Sequence, residues 1–538
     1  MTMTETRPDD AAGLPGAVEP RPMAVLRAPT GLAAWLTSGD HKKVGRMFMW
    51  FAWLFLMADL VVGGLLGAER INANGASILR LNTVAQMFSL YQFALAFLVV
   101  VPLLLGMAIA VVPLQLGARS IAFPRAATLS LWTWVFGGVL VISSYIVNGG
   151  PGGGNSHGVD LFLAGLVLVV AGLLVGCLCV VTTVLTLRVP GMSLDRVPFF
   201  SWSWLVTGSL LLLSLPVLIG DLLLLYVDHR YGRQTFGGNT QISSYLSWAI
   251  SQPQTYLYSL PVLGFVADVV PVFGRARQKL GGVLLAAVGL AGMLGFGADV
   301  QAAFSPNVLY RPLHVLAAVS APVPVLVVIA AATVTLLGGK AKVSASLLLA
   351  MLAGLVLLLG TVVGVLVPFK RLHLAQFAGQ PTVYLLAQFN AVLLAGVLAG
   401  LGGLVYWGPK LWGRLVDNAL ASSLALLAGL GALLVVVPDI ILGFAKQPFG
   451  AVNFSIGGPH QFLNSVATVG YAVVLLAALA FVGLALRSFT GGGESAGDDP
   501  WNGHTLEWAT SSPPPEGNFP DSVTGVTSAQ PLLDRKET

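Results

Sequence analysis

The sequence predicts an all-α polytopic membrane protein, a twelve-transmembrane-helix bundle. Hydrophobic residues occupy 56% of its 538 positions and charged residues only 9%, whereas a soluble domain carries roughly 25% charged residues. The mean hydropathy is +0.83. The apolar residues also come in runs of about twenty or more, the length of a helix that crosses about 30 Å of hydrocarbon. Because backbone groups in lipid must hydrogen-bond within their own segment, these runs are expected to be helices.

The apolar runs define twelve predicted spans between two polar tails. The spans lie at 46–66, 84–114, 126–148, 160–187, 199–227, 245–271, 281–304, 312–338, 344–367, 383–407, 418–444 and 462–488. A polar stretch precedes the first span, so this span does not resemble a cleaved signal peptide. We therefore expect a disordered N-terminal tail at 1–36, a membrane domain at 37–488 and a C-terminal tail at 489–538. The Pro-, Gly- and acid-rich composition of both tails predicts extended or disordered chain.

The distribution of Lys and Arg predicts the orientation. If the N-terminus is cytoplasmic, the inner segments carry fifteen of these residues and the outer loops carry eight, with five in the tails. The positive-inside bias then places both tails in the cytoplasm. The net charge of +5 does not indicate nucleic-acid binding, because the basic residues flank the spans. The basic residues instead indicate contact with the lipid bilayer.

Short polar segments between the spans carry a more specific signal. In order along the chain they read TSGDHKKVG at 37–45, VPLQLGAR at 112–119, AFPR at 122–125, RVPGMSLDRVP at 188–198, WSWLVT at 202–207, YWGPK at 406–410, DPW at 499–501, TLEW at 505–508 and SSPPPEGNF at 511–519. Together they resemble subunit I of the heme–copper oxidases, the cytochrome c oxidase family. The resemblance is colinear from about residue 37 to 520 and includes every predicted span.

This resemblance implies a chemistry and a location. Subunit I of such an oxidase holds two hemes and a copper ion between its helices, reduces oxygen to water and moves protons. Such a subunit works with other membrane subunits in a respiratory complex. For this chain the resemblance therefore implies other membrane subunits of an oxidase-like complex as partners, in a bacterial plasma membrane. Six histidines ligate the metals, because heme iron and copper need imidazole nitrogen ligands.

The six histidine positions of the family carry other residues in this chain. The heme-ligand positions fall at Tyr91, Gln388 and Asn390, and the copper-ligand positions at Gln252, Gln301 and Ala302. The seven histidines of the chain are His41, His157, His229, His314, His373, His460 and His504, and none lies in the middle of a predicted span. A shifted alignment therefore does not restore the ligands.

Supporting residues of the family differ as well. The Arg pair for the heme propionates falls at Phe449 and Gly450, the magnesium ligands at Gln380 and Pro381, and the proton-path residues at Ser120, Gln254 and Val328. Tyr256 is retained, but the histidine to which the family crosslinks it is absent. From these differences we expect no bound heme, copper or other metal, and no catalytic residues.

Polar residues at the former cofactor positions have two interpretations. Either the amides are His-sized replacements that hydrogen-bond across helices, or they line a polar chamber for another ligand. The candidate chamber residues are Asp299, Gln301, Gln252, Gln254, Tyr256, Gln388 and Asn390. Asp299 supports the second interpretation, because an intramembrane carboxylate is a functional candidate. Asp221, Asp268 and Asp439 lie nearer the ends of spans, where we expect hydration, and Asp59 has no counterpart in the family.

Three functions follow. The first is a degenerate, non-catalytic homologue, a pseudoenzyme that acts as a structural or assembly subunit of a membrane complex. The second is cytochrome c oxidase subunit I itself, a terminal oxidase with proton pumping. The third is a transporter or small-ligand-binding protein that uses the amide-lined chamber. The missing histidines favour the first, and the family resemblance favours the second.

Overall fold

The computed structural model describes residues 31–72, 78–79, 81–236, 238, 241–297, 312–377, 380–450, 454, 459–520, 523 and 525–537. The chain divides into a unit that ends at Ser38 and a second unit that begins at Gly39. In the first unit, the described part contains one short helix, α1 (Leu32–Leu36). Most of the predicted N-terminal tail, residues 1–30, lies outside the described residues.

The second unit consists of helices with one very short hairpin. The α-helices are α2 (His41–Glu69), α3 (Leu81–Phe93), α4 (Val101–Gln115), α5 (Pro124–Ile146), α6 (Ser156–Thr186), α7 (Phe199–Arg230), α8 (Ile242–Leu246), α9 (Gln254–Tyr258), α10 (Pro261–Gly274), α11 (Gly281–Gly295), α12 (Pro312–Ser320), α13 (Pro322–Leu337), α14 (Ala345–Leu366), α15 (Val383–Trp412), α16 (Asn418–Phe444), α17 (His460–Phe489) and α18 (Pro531–Glu537). The hairpin pairs β1 (Gln376–Phe377) with β2 (Gln380–Pro381).

The described helices confirm the predicted membrane fold. Eleven segments are long and apolar enough to cross a membrane, and each corresponds to a predicted span. The remaining predicted span, at 281–304, begins with the shorter apolar helix α11, and the end of that span lies outside the described residues. The second span is made of α3 and α4, joined by a π-helical turn at Ala94–Val100. The protein is therefore a multi-pass membrane protein.

Polar side chains set the starts of many of these helices. The side chains of Asp40, Asn155, Ser344, Thr382 and Asp417 accept hydrogen bonds from backbone N–H groups in the first turns of α2, α6, α14, α15 and α16. Such caps satisfy donors that have no partner within the helix. The helices consequently begin close to the ends of the apolar runs that predicted them.

Glycines allow neighbouring helices to approach closely. A Cβ added at Gly137 on α5 would lie 2.6 Å from the backbone nitrogen of Val169 on α6, and one at Gly172 would lie 2.7 Å from that of Trp134. In lipid, where helices associate by packing, small residues at an interface are what permits such contact. The last span, α17, packs on the first, α2, and so closes the bundle.

The C-terminal tail differs from its expected state. Residues 494–520 are mostly irregular, as their Pro and Gly content predicts, but one 3-10 turn at Leu506–Ala509 buries Leu506, Glu507 and Trp508. Composition does not reveal this order, because the stabilising contacts come from helices nearly one hundred residues away in the chain, such as the bond from Trp501 Nε1 to the Tyr406 carbonyl at 3.0 Å.

Candidate functional site in the bundle interior

Two of the predicted heme-ligand positions meet in one hydrogen-bonded row. The Tyr91 hydroxyl on α3 donates to Asn390 Oδ1 on α15 at 2.7 Å. Asn390 Nδ2 in turn donates to the hydroxyl of Tyr471 on α17 at 3.0 Å. All three side chains are buried, and the two tyrosine rings meet edge to face with their centroids 5.9 Å apart. We call Tyr91, Asn390 and Tyr471 the interior row.

Helix α2 packs closely against the interior row. A Cβ added at Gly63 would lie 2.6 Å from Tyr471 Cε1 and 3.0 Å from Tyr91 Cε2. Any larger residue at this position would displace one of the tyrosine rings. The side chains of the row thus occupy the space between α2, α3, α15 and α17.

A buried ion pair lies near the interior row. Arg70, at the C-terminal end of α2, donates to Asp439 on α16, with Nη1 and Oδ1 3.0 Å apart, and the two side chains are 1% and 0% exposed. Burial acts to lower the pKa of Arg70, but the Asp439 carboxylate together with the nearby Tyr471 and Tyr91 raises this pKa above its ordinary value. The expectation that Asp439 is hydrated is therefore wrong, because its partner comes from a helix far away in sequence.

The other two aspartates expected to be hydrated are also buried. Asp221 accepts a hydrogen bond from Trp248 Nε1 at 3.0 Å. Asp268 accepts from the backbone nitrogens of Phe199 and Phe200, at 2.9 and 3.0 Å. Protein donors thus replace the water that the position of these residues in the sequence suggested.

The chamber positions Gln252, Gln254, Tyr256 and Gln388 are also buried. The Tyr256 hydroxyl donates to Gln252 Oε1 at 2.8 Å, and Gln252 Nε2 donates to the Gly364 carbonyl at 3.3 Å. Gln254 has different partners: its Nε2 donates to Ser214 Oγ at 2.9 Å and its Oε1 accepts from the backbone nitrogen of Gly297 at 3.1 Å. The structure brings Gln252 and Tyr256 together but directs Gln254 to α7 and to the chain that follows α11.

Gln388 differs from the other amides. Its Nε2 is buried and makes no hydrogen bond of normal geometry among the described residues, although the Gln388 side chain lies beside the Tyr256 hydroxyl. A cavity of about 20 Å³, lined by Tyr256, Thr361 and apolar side chains, lies in the same part of the bundle. That volume holds about one water molecule. Asp299, Gln301 and Ala302 lie outside the described residues, so the chamber as a ligand site stays a prediction.

The ligand set implied by the family resemblance does not fit the residues at these positions. Imidazole is the usual ligand for heme iron and copper, whereas an amide is a poor one. The Tyr91 hydroxyl and the Asn390 amide are, moreover, hydrogen-bonded to protein partners. Across the described ranges, no three His, Cys, Asp or Glu side chains converge as a metal site would require. The assignment of the six ligand positions to these residues remains a prediction from the motifs.

The fold defines the class of this protein as a multi-pass helical membrane protein. The family model described as cytochrome C and quinol oxidase polypeptide I matches residues 43–483. The chain belongs to this family.

Two curated relatives and one solved structure agree with this assignment. Cytochrome c oxidase subunit 1 of Bacillus subtilis (strain 168) is 29% identical over 94% of this chain and 83% of its own length. The protein of the same name from Bacillus sp. (strain PS3) is 28% identical over 92% of this chain and 84% of its own. A heme–copper terminal oxidase dimer solved by cryo-EM has a chain with a similar fold, with a TM-score of 0.63, 14% identity and coverage of 84% of this chain and 85% of that one.

These findings contradict the expectation that no cofactor is bound. The curated relatives are named as cytochrome c oxidase subunits, and the family is one that binds heme and copper. The histidine differences do not show that cofactor binding has been lost. The residues at the family's ligand positions do not match its usual ligands, but the expectation that the protein binds no cofactor is wrong.

The sequence indicates polar positions in the interior, but it does not predict which side chains hydrogen-bond to each other there. Tyr471 was not singled out, although a tyrosine within an apolar span needs a partner for its hydroxyl. Asp59 on α2 was left without a role, and both of its carboxylate oxygens are buried without a hydrogen-bond partner among the described residues. A charged residue in an apolar run was the available signal for Asp59.

Proposed function

We propose that this chain is a non-catalytic member of its family that serves as a structural or assembly subunit of an oxidase-like membrane complex. The observation that carries the proposal is the interior row. At two positions where the family resemblance places heme ligands, Tyr91 and Asn390 hydrogen-bond to each other and to Tyr471. Bonds of this kind between membrane helices contribute about 0.6–2 kcal/mol each. They give these side chains a role in holding the bundle together.

The end of the bundle that packs on the C-terminal tail supports the same function. Lys410, in the YWGPK motif, donates to the carbonyls of Asp498 and Thr510 at 2.8 and 2.6 Å. Asn518, in the SSPPPEGNF motif, accepts from Lys42 at 3.0 Å and donates to the Ala118 carbonyl at 2.7 Å. The motifs that resemble the family thus hold the C-terminal tail as an ordered surface layer over the helix ends. Such a surface is suited to the other subunits of a complex.

We further propose that both termini are cytoplasmic. The excess of Lys and Arg in the loops on that side of the bundle supports this orientation. The surface built by Lys410 and Asn518 would then face the cytoplasm. Subunits that contact it would be membrane proteins with cytoplasmic segments.

The second candidate function is catalytic: a terminal oxidase that reduces oxygen. The names of the curated relatives favour it. The two functions differ in what loss of the chain does to the complex. A structural subunit is needed for the amount of assembled complex, whereas a catalytic subunit is needed for turnover by each assembled complex.

The experiment measures whether the chain forms a complex and whether the chain itself takes up oxygen. The tagged chain is purified with its partners, and oxygen uptake is recorded with reduced cytochrome c and with a quinol, with heme content determined on the same sample. We expect co-purifying membrane subunits and no oxygen uptake by the chain once it is separated from them. Recovery of the chain alone, with oxygen uptake at the rate of the Bacillus subtilis relative, would establish the catalytic function instead.

A further inference from the structure

A C-terminal strap, defined as residues 494–520, lies against the ends of several helices. Its 3-10 turn places Trp508 so that Nε1 donates to the Tyr406 hydroxyl at 3.2 Å. Trp501 Nε1 donates to the Tyr406 carbonyl at 3.0 Å. Two tryptophans of the strap, Trp501 and Trp508, thus attach it to α15. Glu507 lies between them in the sequence.

Glu507 is the buried acid of the strap. Its side chain is 0% exposed. Oε1 accepts hydrogen bonds from Trp407 Nε1 at 3.1 Å and from Gln115 Nε2 at 3.2 Å. Oε2 is buried and accepts no hydrogen bond of normal geometry among the described residues, although the Thr505 side chain and the Glu507 backbone N–H lie close to the carboxyl. These donors compensate an ionised carboxylate only in part, so its burial carries a large desolvation cost.

A second carboxyl shares the same amide. Gln115 Nε2 donates to Asp268 Oδ2 at 3.1 Å as well as to Glu507, and Gln115 Oε1 accepts from Ser201 Oγ at 2.7 Å. Asp268 is held by the first backbone nitrogens of α7. Among the described residues, neither Asp268 nor Glu507 forms an ion pair with Lys or Arg. Two buried acids therefore face each other without a contacting cation.

Burial raises the pKa of the Glu507 carboxyl above its ordinary value. The titratable groups that interact with it are Asp268 on α10 and both Lys410 and Tyr406 on α15. The Lys410 ammonium is engaged by strap carbonyls, so it does not reach the Glu507 carboxylate. The docked strap accordingly favours the protonated acid, in which one oxygen carries the hydrogen.

We propose that Glu507 makes docking of the C-terminal strap dependent on pH, so that the strap detaches when this carboxyl loses its proton. Detachment would uncover Trp407 and Lys410 at the end of α15. The device does not depend on whether the bundle reduces oxygen, so it stands apart from the proposed function.

The sign of the effect follows from linkage. The docked strap binds the Glu507 proton more tightly than the free strap does, so docking is strongest below the ordinary pKa of glutamate. Docking weakens as the pH rises and stops changing once the pH exceeds the raised pKa that Glu507 has in the docked strap. Between those two values, one proton changes the docking equilibrium by about tenfold per pH unit.

Hydrogen–deuterium exchange of strap amides tests the proposal on the full-length protein in nanodiscs. The wild type is compared with Glu507→Gln at each pH, so that the intrinsic pH dependence of exchange cancels in the ratio of their rates. The glutamine keeps an oxygen for the bonds from Gln115 and Trp407 but carries no titrating proton. We expect a ratio near one at acidic pH that rises by up to about tenfold per pH unit.

The matched control is Glu516→Gln, because Glu516 is exposed in the same strap. Its exchange should equal that of the wild type at every pH. A wild-type to Glu507→Gln ratio that stays constant with pH would overturn the proposal, as would an equal effect of Glu516→Gln. Should Glu507→Gln fail to fold, Asp268→Asn serves instead. Removal of that neighbouring charge should move the midpoint of strap release to lower pH, and an unmoved midpoint would also overturn the proposal.

Discussion

The bundle interior and the C-terminal strap are both buried and polar, yet they relate to the family in opposite ways. In the interior, Tyr91 and Asn390 stand where the resemblance places metal ligands, and they bond to each other and to Tyr471. At the strap, the motif residue Lys410 of α15 donates to the backbone carbonyls of Asp498 and Thr510. Residues that resemble the family thus lie where protein contacts protein, and residues that depart from it lie where the family places its cofactors. Polar partners that are distant in the chain hold both regions, and under the proposed function the interior residues serve packing.

The largest expected effect is on the ion pair beside the interior row. Asp439→Ala leaves the buried Arg70 guanidinium unpaired, which costs about 3–5 kcal/mol. Thermal unfolding in detergent should show a large loss of stability or no folded protein. Replacement of both partners by apolar residues, Arg70→Met with Asp439→Leu, is the control and should recover most of the loss. A single variant as stable as the wild type would show that the pair does not support the interior.

The next largest expected effect is a loss of strap anchoring. Lys410→Met removes a charged donor from the carbonyls of Asp498 and Thr510, and a hydrogen bond to a charged group contributes about 1.5–3 kcal/mol. We expect faster proteolysis of the tail while the interior spans stay protected. The exposed Lys340→Met is the comparison variant. Equal protection of the tail in both variants would mean that Lys410 does not anchor the strap.

Replacement of Asp59 should stabilise the protein, unlike the substitutions above. Its carboxylate oxygens lie buried without hydrogen-bond partners in the described chain, and such a group costs about 1–3 kcal/mol. Asp59→Leu should therefore raise the unfolding temperature in detergent. Asp221→Leu is the control and should lower it, because Asp221 accepts a bond from Trp248. Destabilisation by Asp59→Leu would show that the carboxyl has a compensating partner.

The smallest effect is on a single bond of the interior row. Tyr91→Phe removes the donor to Asn390 and should cost about 0.6–2 kcal/mol. A double-mutant cycle with Tyr471→Phe should give a non-zero coupling energy, because both hydroxyls bond to the same amide. Additive losses would show that the three residues act separately.

The sequence was sufficient for the spans because hydropathy is a local property. The bounds of α2 and α16 follow from their apolar runs and capping aspartates. The partner of a buried charge is not local: Asp439 meets Arg70 across 369 positions of the chain. For the same reason the tail was expected to be disordered, although Glu507 meets Gln115 across 392 positions. The motifs identified the family, but they did not show how the interior residues pair.

The central claim is that the residues at the family's ligand positions hold the bundle together and do not carry oxygen chemistry. The most direct test is oxygen uptake per assembled complex, compared between the wild type and Asn390→Leu purified with the same partners. We predict the same turnover per complex for both, with less complex recovered from the variant. Loss of turnover at an unchanged amount of complex would contradict this account and establish Asn390 as part of a catalytic site.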